Sequence, residues 1–532
     1  MAPLLISGLV FGAGSAWTLW AQGQVGAIKG GLTLLPTLNL TFDAMLAYAG
    51  KALVPAYMRT SYVWNAYPYV SFKGLMGAAL VGALIWIGMR QAGSPDRNLR
   101  LMAFGIFWYL IAFVPVSNLV PTSTKMADRY LFVPTVGAVL ALLALAAWFS
   151  SSRRRQGVVC AALALVVVPY MYASYQRAEV WCGKTTPWRG RPDPDLSLWT
   201  SAVETDPEDL SAPVSLALVY LRFNPPEADQ ALVYLQRALQ LSQASQARVV
   251  GGKQLDLSPL YEALGDAYLA QASGLAAGSP ASDVWRQKKG AFAGSVKYFQ
   301  MASRNPSGFA PADARLLCRL AEACEGQAQM DAQELDGAMP GQRAALISER
   351  DALRSKSEAS VRRAREILRA GRVPPSDPEF RAVMIVQGNI IFARETGASN
   401  DEKAGYYREA LVRYQEAAAL FPDDPRPFLY QGLCYERLTA MAQSPQEKQS
   451  LFALGEAALR KALTLPATSP DYSPAMPYHG LALLYSHLND FPAALESLKK
   501  ELEVDPAYAE STHVRGDIQG LEQYLARQGK TR

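Results

Sequence analysis

Between positions 115 and 137 the chain reads PVSNLVPTSTKMADRYLFVPTVG. Lys125, Asp128 and Arg129 lie close together there, next to Tyr130 and just before an apolar run. Cations at the mouth of a membrane span suit a phosphate headgroup, and a guanidinium binds phosphate through two parallel hydrogen bonds. Charge alone also allows a plainer reading, a snorkelling Arg129 paired with Asp128.

Other chemistry is sparse. The three histidines, His479, His487 and His513, all fall in the second half. His479 and His487 share a helix face, but no third ligand stands near them, and they read as packing or surface histidines. Five cysteines, Cys160, Cys182, Cys318, Cys324 and Cys434, match no zinc spacing, and Cys318 and Cys324 would point away from each other on one helix. A bridge involving Cys182 has nothing to support it. No phosphate-cradling GxxxxGK[ST] loop occurs, and no cofactor or metal is expected.

The elements that must position the 115–137 segment differ sharply in charge from the rest of the chain. Residues 1–173 hold 12 Lys and Arg against Asp43, Asp96 and Asp128, whereas the remainder holds 40 basic and 44 acidic residues. A mean hydropathy near zero therefore averages two unlike halves, and the basic balance marks membrane flanks, with no nucleic-acid partner implied. Stretches 3–20, 74–89, 101–116, 130–149 and 157–172 approach the length needed to span a bilayer. Arg90, Arg97 and Arg100 follow the second stretch and Arg153–Arg155 the fourth, so both loops are expected in the cytoplasm. The N-terminus is then inside. Residues 21–73, the 117–129 loop and everything beyond about 175 are outside, on the periplasmic side of a multi-pass inner-membrane protein. Met1-Ala2-Pro3 carries no positive charge, which argues against a signal peptide.

The outer segment contains an amphipathic stretch at 38–58, followed by a cluster of aromatic residues. Rings with polar tips suit the headgroup zone. The alternative is the wall of a groove for a lipid-linked substrate, built by Arg59, Tyr62 and Trp64.

From about residue 209 small and large residues alternate with the period of helix-pair repeats. Leu481, Ala482, Tyr485, Phe491, Ala494, Leu498 and Pro506 fit the tetratricopeptide spacing, with Glu501 where a small residue is usual. Further copies start at Leu216, Leu264, Leu320, Gly388 and Gly432, some with insertions at 272–288, 329–350 and 397–405. The expected fold class is all-α: a multi-span transmembrane helical domain at 1–175, a junction at 176–208, about six repeats forming an α-solenoid at 209–507, and a capping helix and tail at 508–532. Such a solenoid presents a concave face to a protein or peptide, or serves as a rigid spacer.

The 115–137 segment resembles the F-P-x-S-N … E-R-Y-L-Y-x-P-S-x-G stretch of the transmembrane-and-tetratricopeptide-repeat O-mannosyltransferases, polyprenyl-phosphate-sugar-dependent glycosyltransferases of the GT-C class. Residues 45–55, MLAYAGKALVP, and 62–68, YVWNAYP, are similar to a second family segment. Arg177, Trp181, Leu198, Trp199 and Glu204-Thr205-Asp206-Pro207 resemble the family's junction into its repeats. The resemblance implies that Lys125, Asp128, Arg129 and Tyr130 hold the phosphate of a polyprenyl-linked sugar donor. It departs in two ways. Asp128 replaces the family's Glu, and the family's earlier spans and acidic first outer loop have no counterpart here. Asp43 and Asp128 are the outward carboxylates of residues 1–173, and neither matches that base. The chain therefore resembles the C-terminal portion of such an enzyme.

Two functions are expected from these readings. One is part of a transferase moving sugar to a protein hydroxyl, and the other is a membrane-tethered repeat scaffold that recruits a protein partner for envelope or secretory assembly. A transporter fits less well, since no span carries a mid-membrane charge.

Overall fold

In the computed structural model the described residues are 34–53, 70–117, 128–150, 153–187 and 190–530, apart from 191, 224, 247–256, 277–278, 281, 336, 375–376, 397, 467–471 and 512. Among them every regular element is helical. They divide into two compact units, residues 1–222 with 233–249 and residues 223–232 with 250–532.

The first unit opens with α1 (Leu34–Leu53), α2 (Phe72–Ala92), α3 (Arg97–Phe113), α4 (Phe132–Phe149) and α5 (Arg153–Trp181). By length and composition α2, α4 and α5 are able to cross a membrane. The shorter α3 packs against α2 and α4, with Met102, Ala103, Ile106, Tyr109 and Phe113 buried. Its crossing with α4 depends on two glycines. A Cβ on Gly105 would stand 2.6 Å from the Gly137 carbonyl oxygen, and one on Gly137 would stand 2.6 Å from the Gly105 carbonyl oxygen. Backbones approach this closely only through small residues, the usual device where apolar helices meet.

Gly105 lies near Ala141 as well as Gly137, while Gly137 also meets Tyr109, so α3 and α4 run antiparallel. Arg90, Arg97 and Arg100 therefore share an end with Arg153–Arg155, and Ser117 and the turn from Asp128 lie at the other. Two of these arginines stack on rings of the apolar helices, Arg90 over Trp86 at 5.5 Å and Arg155 over Phe149 at 5.4 Å.

The amphipathic stretch begins within α1, whose packing differs from a plain surface helix. Leu40, Ala44, Met45 and Tyr48 are buried, the last three in a cluster with Tyr109, Phe113 and Leu131. Asp43, read as an outward carboxylate, is buried as well. Gly77 lets α1 close down, since a Cβ there would meet the Phe42 carbonyl oxygen at 1.9 Å. The Ser71 amide and hydroxyl both donate to Asn39 Oδ1, at 2.9 and 3.0 Å, while the Ser71 oxygen caps α2 by accepting from the Gly74 amide.

The chain then pairs its helices. After α6 (Pro194–Thr205) come α7 (Ser211–Arg222) with α8 (Ala228–Gln246), then α9 (Ser258–Gly274) with α10 (Asp283–Ala302) and α11 (Ala310–Leu335) with α12 (Pro340–Ala370). Next are α13 (Pro378–Phe392) with α14 (Asn400–Leu420), α15 (Pro425–Met441) with α16 (Pro445–Leu463), and α17 (Met476–His487) with α18 (Phe491–Val504). Their starts are written in the sequence: Asp377, Ser399, Ser444 and Asp490 cap helices, and proline occupies the first turn of α12, α13, α15, α16, α17 and α18.

The small-large code is met inside these pairs. Tyr414 seats its ring against Gly388, where a Cβ would stand 2.4 Å away, and Leu459 does the same at Gly432. Ala314, Ala321, Ala364, Met384, Ala410, Tyr414 and Cys434 join α11 to α15 in one core. Cys318 belongs to that core and Cys324 to the neighbouring one with Phe299 and Leu320, so the two thiols do point apart; all five cysteines are free.

The insertion at 329–350 is helical over most of its length. Ala, Glu, Gln and Arg favour continuing the helix, so α11 extends to Leu335 and α12 starts at Pro340. On the extension Asp331 is fully buried against Lys289 Nζ at 2.9 Å. The C-terminal cap is two helices, α19 (Pro506–Ser511) and α20 (Val514–Lys530), with His513 between them at φ +59°. Val514 seals the last pair beside Ala482, Leu498 and Ala509.

Candidate functional site

Of the residues singled out at the membrane, Lys125, Arg59, Tyr62 and Trp64 lie outside the described residues. Asp128, Arg129 and Tyr130 fall in a short 3₁₀ turn, Asp128–Leu131, that leads directly into apolar α4. Tyr130 packs on the cluster of Tyr48, Tyr109 and Phe113.

The second unit holds a more complete site. The first helices of three successive pairs, α11, α13 and α15, line a groove of about 330 Å³. Arg315, Arg319 and Glu322 recur at i, i+4 and i+7 on α11. Glu379, Ala382, Val386 and Asn389 follow one face of α13 at i, i+3, i+7 and i+10, and Arg426 and Tyr430 close the far side from α15. Ile385 and Val386 give this wall an apolar strip.

The charges are held in place rather than left loose. Arg315 donates to Glu379 Oε1 across the groove at 3.1 Å. Arg319 reaches Glu322 at 3.4 Å and Asp266 of α9 at 3.8 Å. Arg426 forks onto Asp424, its Nε donating to Oδ1 at 3.1 Å and its Nη2 to Oδ2 at 2.7 Å, while Arg381 lies 3.4 Å from the same carboxylate. Burial alone would raise the Asp424 carboxyl. The Arg426 hydrogen bonds and the two guanidinium charges outweigh it and hold the group below its usual range. On α9, burial raises the carboxyls of Glu262 and Asp266 despite nearby Arg315 and Arg319.

Tyr430 is oriented from behind. It stacks on Tyr414 at 5.1 Å, and the Tyr414 hydroxyl donates to Asn389 Oδ1 at 2.7 Å. Cys318 borders the groove, but burial pushes its thiol well up, so it is no ready nucleophile. The arrangement offers ordered donors, acceptors and an apolar strip, which is equipment for binding an extended chain.

Apart from Cys318, which the sequence offered only as a thiol without a zinc spacing, none of these groove residues was singled out by sequence. The available signal is the polar stripe at i, i+4 and i+7 on first helices only, a pattern that any solvated helix face also shows. The two central histidines took a role of their own: His479 faces Glu501 and His487 faces Glu436, both carboxylates being buried.

Compared with protein families and with curated proteins, the sequence matches none. Similar solved structures include yeast Tom70, 12% identical over 85% of this chain and 88% of that one, with a TM-score of 0.29. The tetratricopeptide-repeat domain of P58(IPK) is 16% identical over 63% of this chain and 94% of that one, with a TM-score of 0.20. At these scores the likenesses carry no argument, and the helical-repeat architecture rests on the pairing and glycine contacts above.

Proposed function

We propose that this is a membrane-anchored helical-repeat scaffold whose groove across α11, α13 and α15 binds a polypeptide partner on the extracytoplasmic side. The observation that carries the reading is that groove itself: charges fixed in register beside the Ile385–Val386 strip, with no activated nucleophile among them. Anchoring is supported by three helices of membrane length and by arginines gathered at one end of them, the side retained in the cytoplasm. Two measurements test it. The protein should resist alkaline-carbonate extraction from membranes. Cys182, exposed just after α5, should react with an impermeant maleimide added from outside; extraction with soluble proteins or a protected Cys182 would sink the reading.

A second reading is part of a polyprenyl-phosphate-sugar-dependent protein O-glycosyltransferase, with the repeats holding the acceptor. It is favoured by the resemblance at 115–137 and by the turn that sets Asp128-Arg129-Tyr130 at the mouth of α4. Under it Lys125 and Arg129 bind the donor phosphate, so Arg129→Ala abolishes retention of a polyprenyl-phosphate-sugar. Unchanged retention would leave the scaffold alone.

A further inference from the structure

A second pocket, of about 320 Å³, lies between α12, α13 and α14, apart from the groove. Its floor is apolar, made by Val361, Ile390 and Ile391, and its walls carry Arg362, Arg365 and Arg413. Arg365 Nε, Arg413 Nε and Gln387 Oε1 are all buried there without a hydrogen-bond partner. Buried polar groups are ordinarily satisfied, so three orphans on side chains that line one cavity mark a place for a ligand.

The charge balance says of what kind. Glu358 on the rim is already held by Arg394 at 2.6 Å, and Glu416 by Arg413 at 3.1 Å. Glu409 is exposed at the edge. Arg365 has no ion pair of its own; burial and the neighbouring Arg369 and Arg413 lower its guanidinium pKa, with the Glu416 charge opposing them. Arg413 is thus shared with Glu416, and Arg365 is the surplus cation above the apolar floor.

We propose that it binds an acidic peptide: a carboxylate between Arg365 and Arg413, its aliphatic stem over Ile390 and Ile391, and a peptide N–H donated to Gln387 Oε1. Bare phosphate would satisfy the cations and leave the apolar floor unused.

The test uses the full chain in detergent micelles and fluorescence anisotropy with the labelled tetrapeptide LEIE-amide against LQIQ-amide. LEIE-amide should bind and LQIQ-amide should bind at least about tenfold more weakly, since a charged hydrogen bond is at stake. Arg365→Met and Arg413→Gln should weaken LEIE-amide binding by a similar factor, while Arg286→Gln, at an exposed surface ion pair with Asp283 on α10 that lines neither cavity, should not. Because Arg365 is an unpaired cation, Arg365→Met should keep or raise the melting temperature, which separates lost binding from lost folding. Equal binding of the two peptides, unchanged binding in Arg365→Met, or displacement of LEIE-amide by equimolar inorganic phosphate would overturn the proposal.

Discussion

His479 Nδ1 lies 3.1 Å from Glu501 Oε2, joining the first and second helices of the last repeat through a carboxylate that is fully buried. The hydrogen bond to Glu501, together with the Glu501 charge, raises the His479 pKa above its ordinary value, with burial opposing and Asp517 and Glu436 adding to it. A raised histidine stabilises the fold fully below the unfolded pKa of about 6.5, and that contribution is lost as pH climbs through the higher folded value. Protection factors of the α17 and α18 amides, with the intrinsic base-catalysed exchange rate divided out, should accordingly be higher at pH 6 than at pH 8. His479→Gln should flatten the difference; a pH-independent wild type would contradict the pairing.

Asp424 titrates in the opposite sense. Its folded pKa is depressed, so its contribution is present above the unfolded value of about 3.9 and fades as pH falls toward the folded one. Asp424→Asn strands Arg426 and Arg381 and should cost about 3 kcal/mol in urea unfolding, the scale for breaking a buried ion pair. It should also remove Asp424's share of the stability that the wild type loses below about pH 4 in the same measurement.

Gly388 tests the repeat packing. Tyr414 is 1% exposed and tied by its hydroxyl to Asn389, so it has no room to yield to a Cβ. Gly388→Ala should lose about 1–3 kcal/mol by overpacking. Gly405→Ala meets nothing within 4 Å on exposed helix and should instead gain up to about 1 kcal/mol from helix propensity. Chemical denaturation of both variants provides the comparison.

Gly137 tests the apolar bundle in the same way. Gly137→Leu must push α4 away from the Gly105 carbonyl. It should lower the melting temperature in micelles by several degrees, whereas Gly157→Leu, with open space around it, should leave it unchanged.

Much of this architecture was legible in the sequence because helix pairing is written locally. Gly388 with Tyr414 and Gly432 with Leu459 are small-large partners at a fixed spacing, and the capping Ser, Asp and Pro residues mark where helices start. The stretch at 329–350 reads as an insertion between paired helices because it disturbs the repeat period; its residues are helix formers and lengthen α11 and α12. Glu501 looked like a departure from the repeat pattern, since only the fold reveals His479 opposite it. The groove and the Arg365 pocket were illegible for a related reason. Each gathers charged residues from three separate helices, and on any single helix those residues look like a solvated face.

The account turns on the groove of α11, α13 and α15 holding a polypeptide while the chain sits in its membrane. A photo-crosslinking amino acid at Ala382, on the groove wall, measures this most directly. Illumination of native membranes should yield a protein adduct from position 382 that disappears when Arg315 and Arg426 are both changed to Glu. None should form from exposed position 347 on α12. Adducts of equal yield from both positions, or an adduct from position 382 that survives the double change, would contradict it.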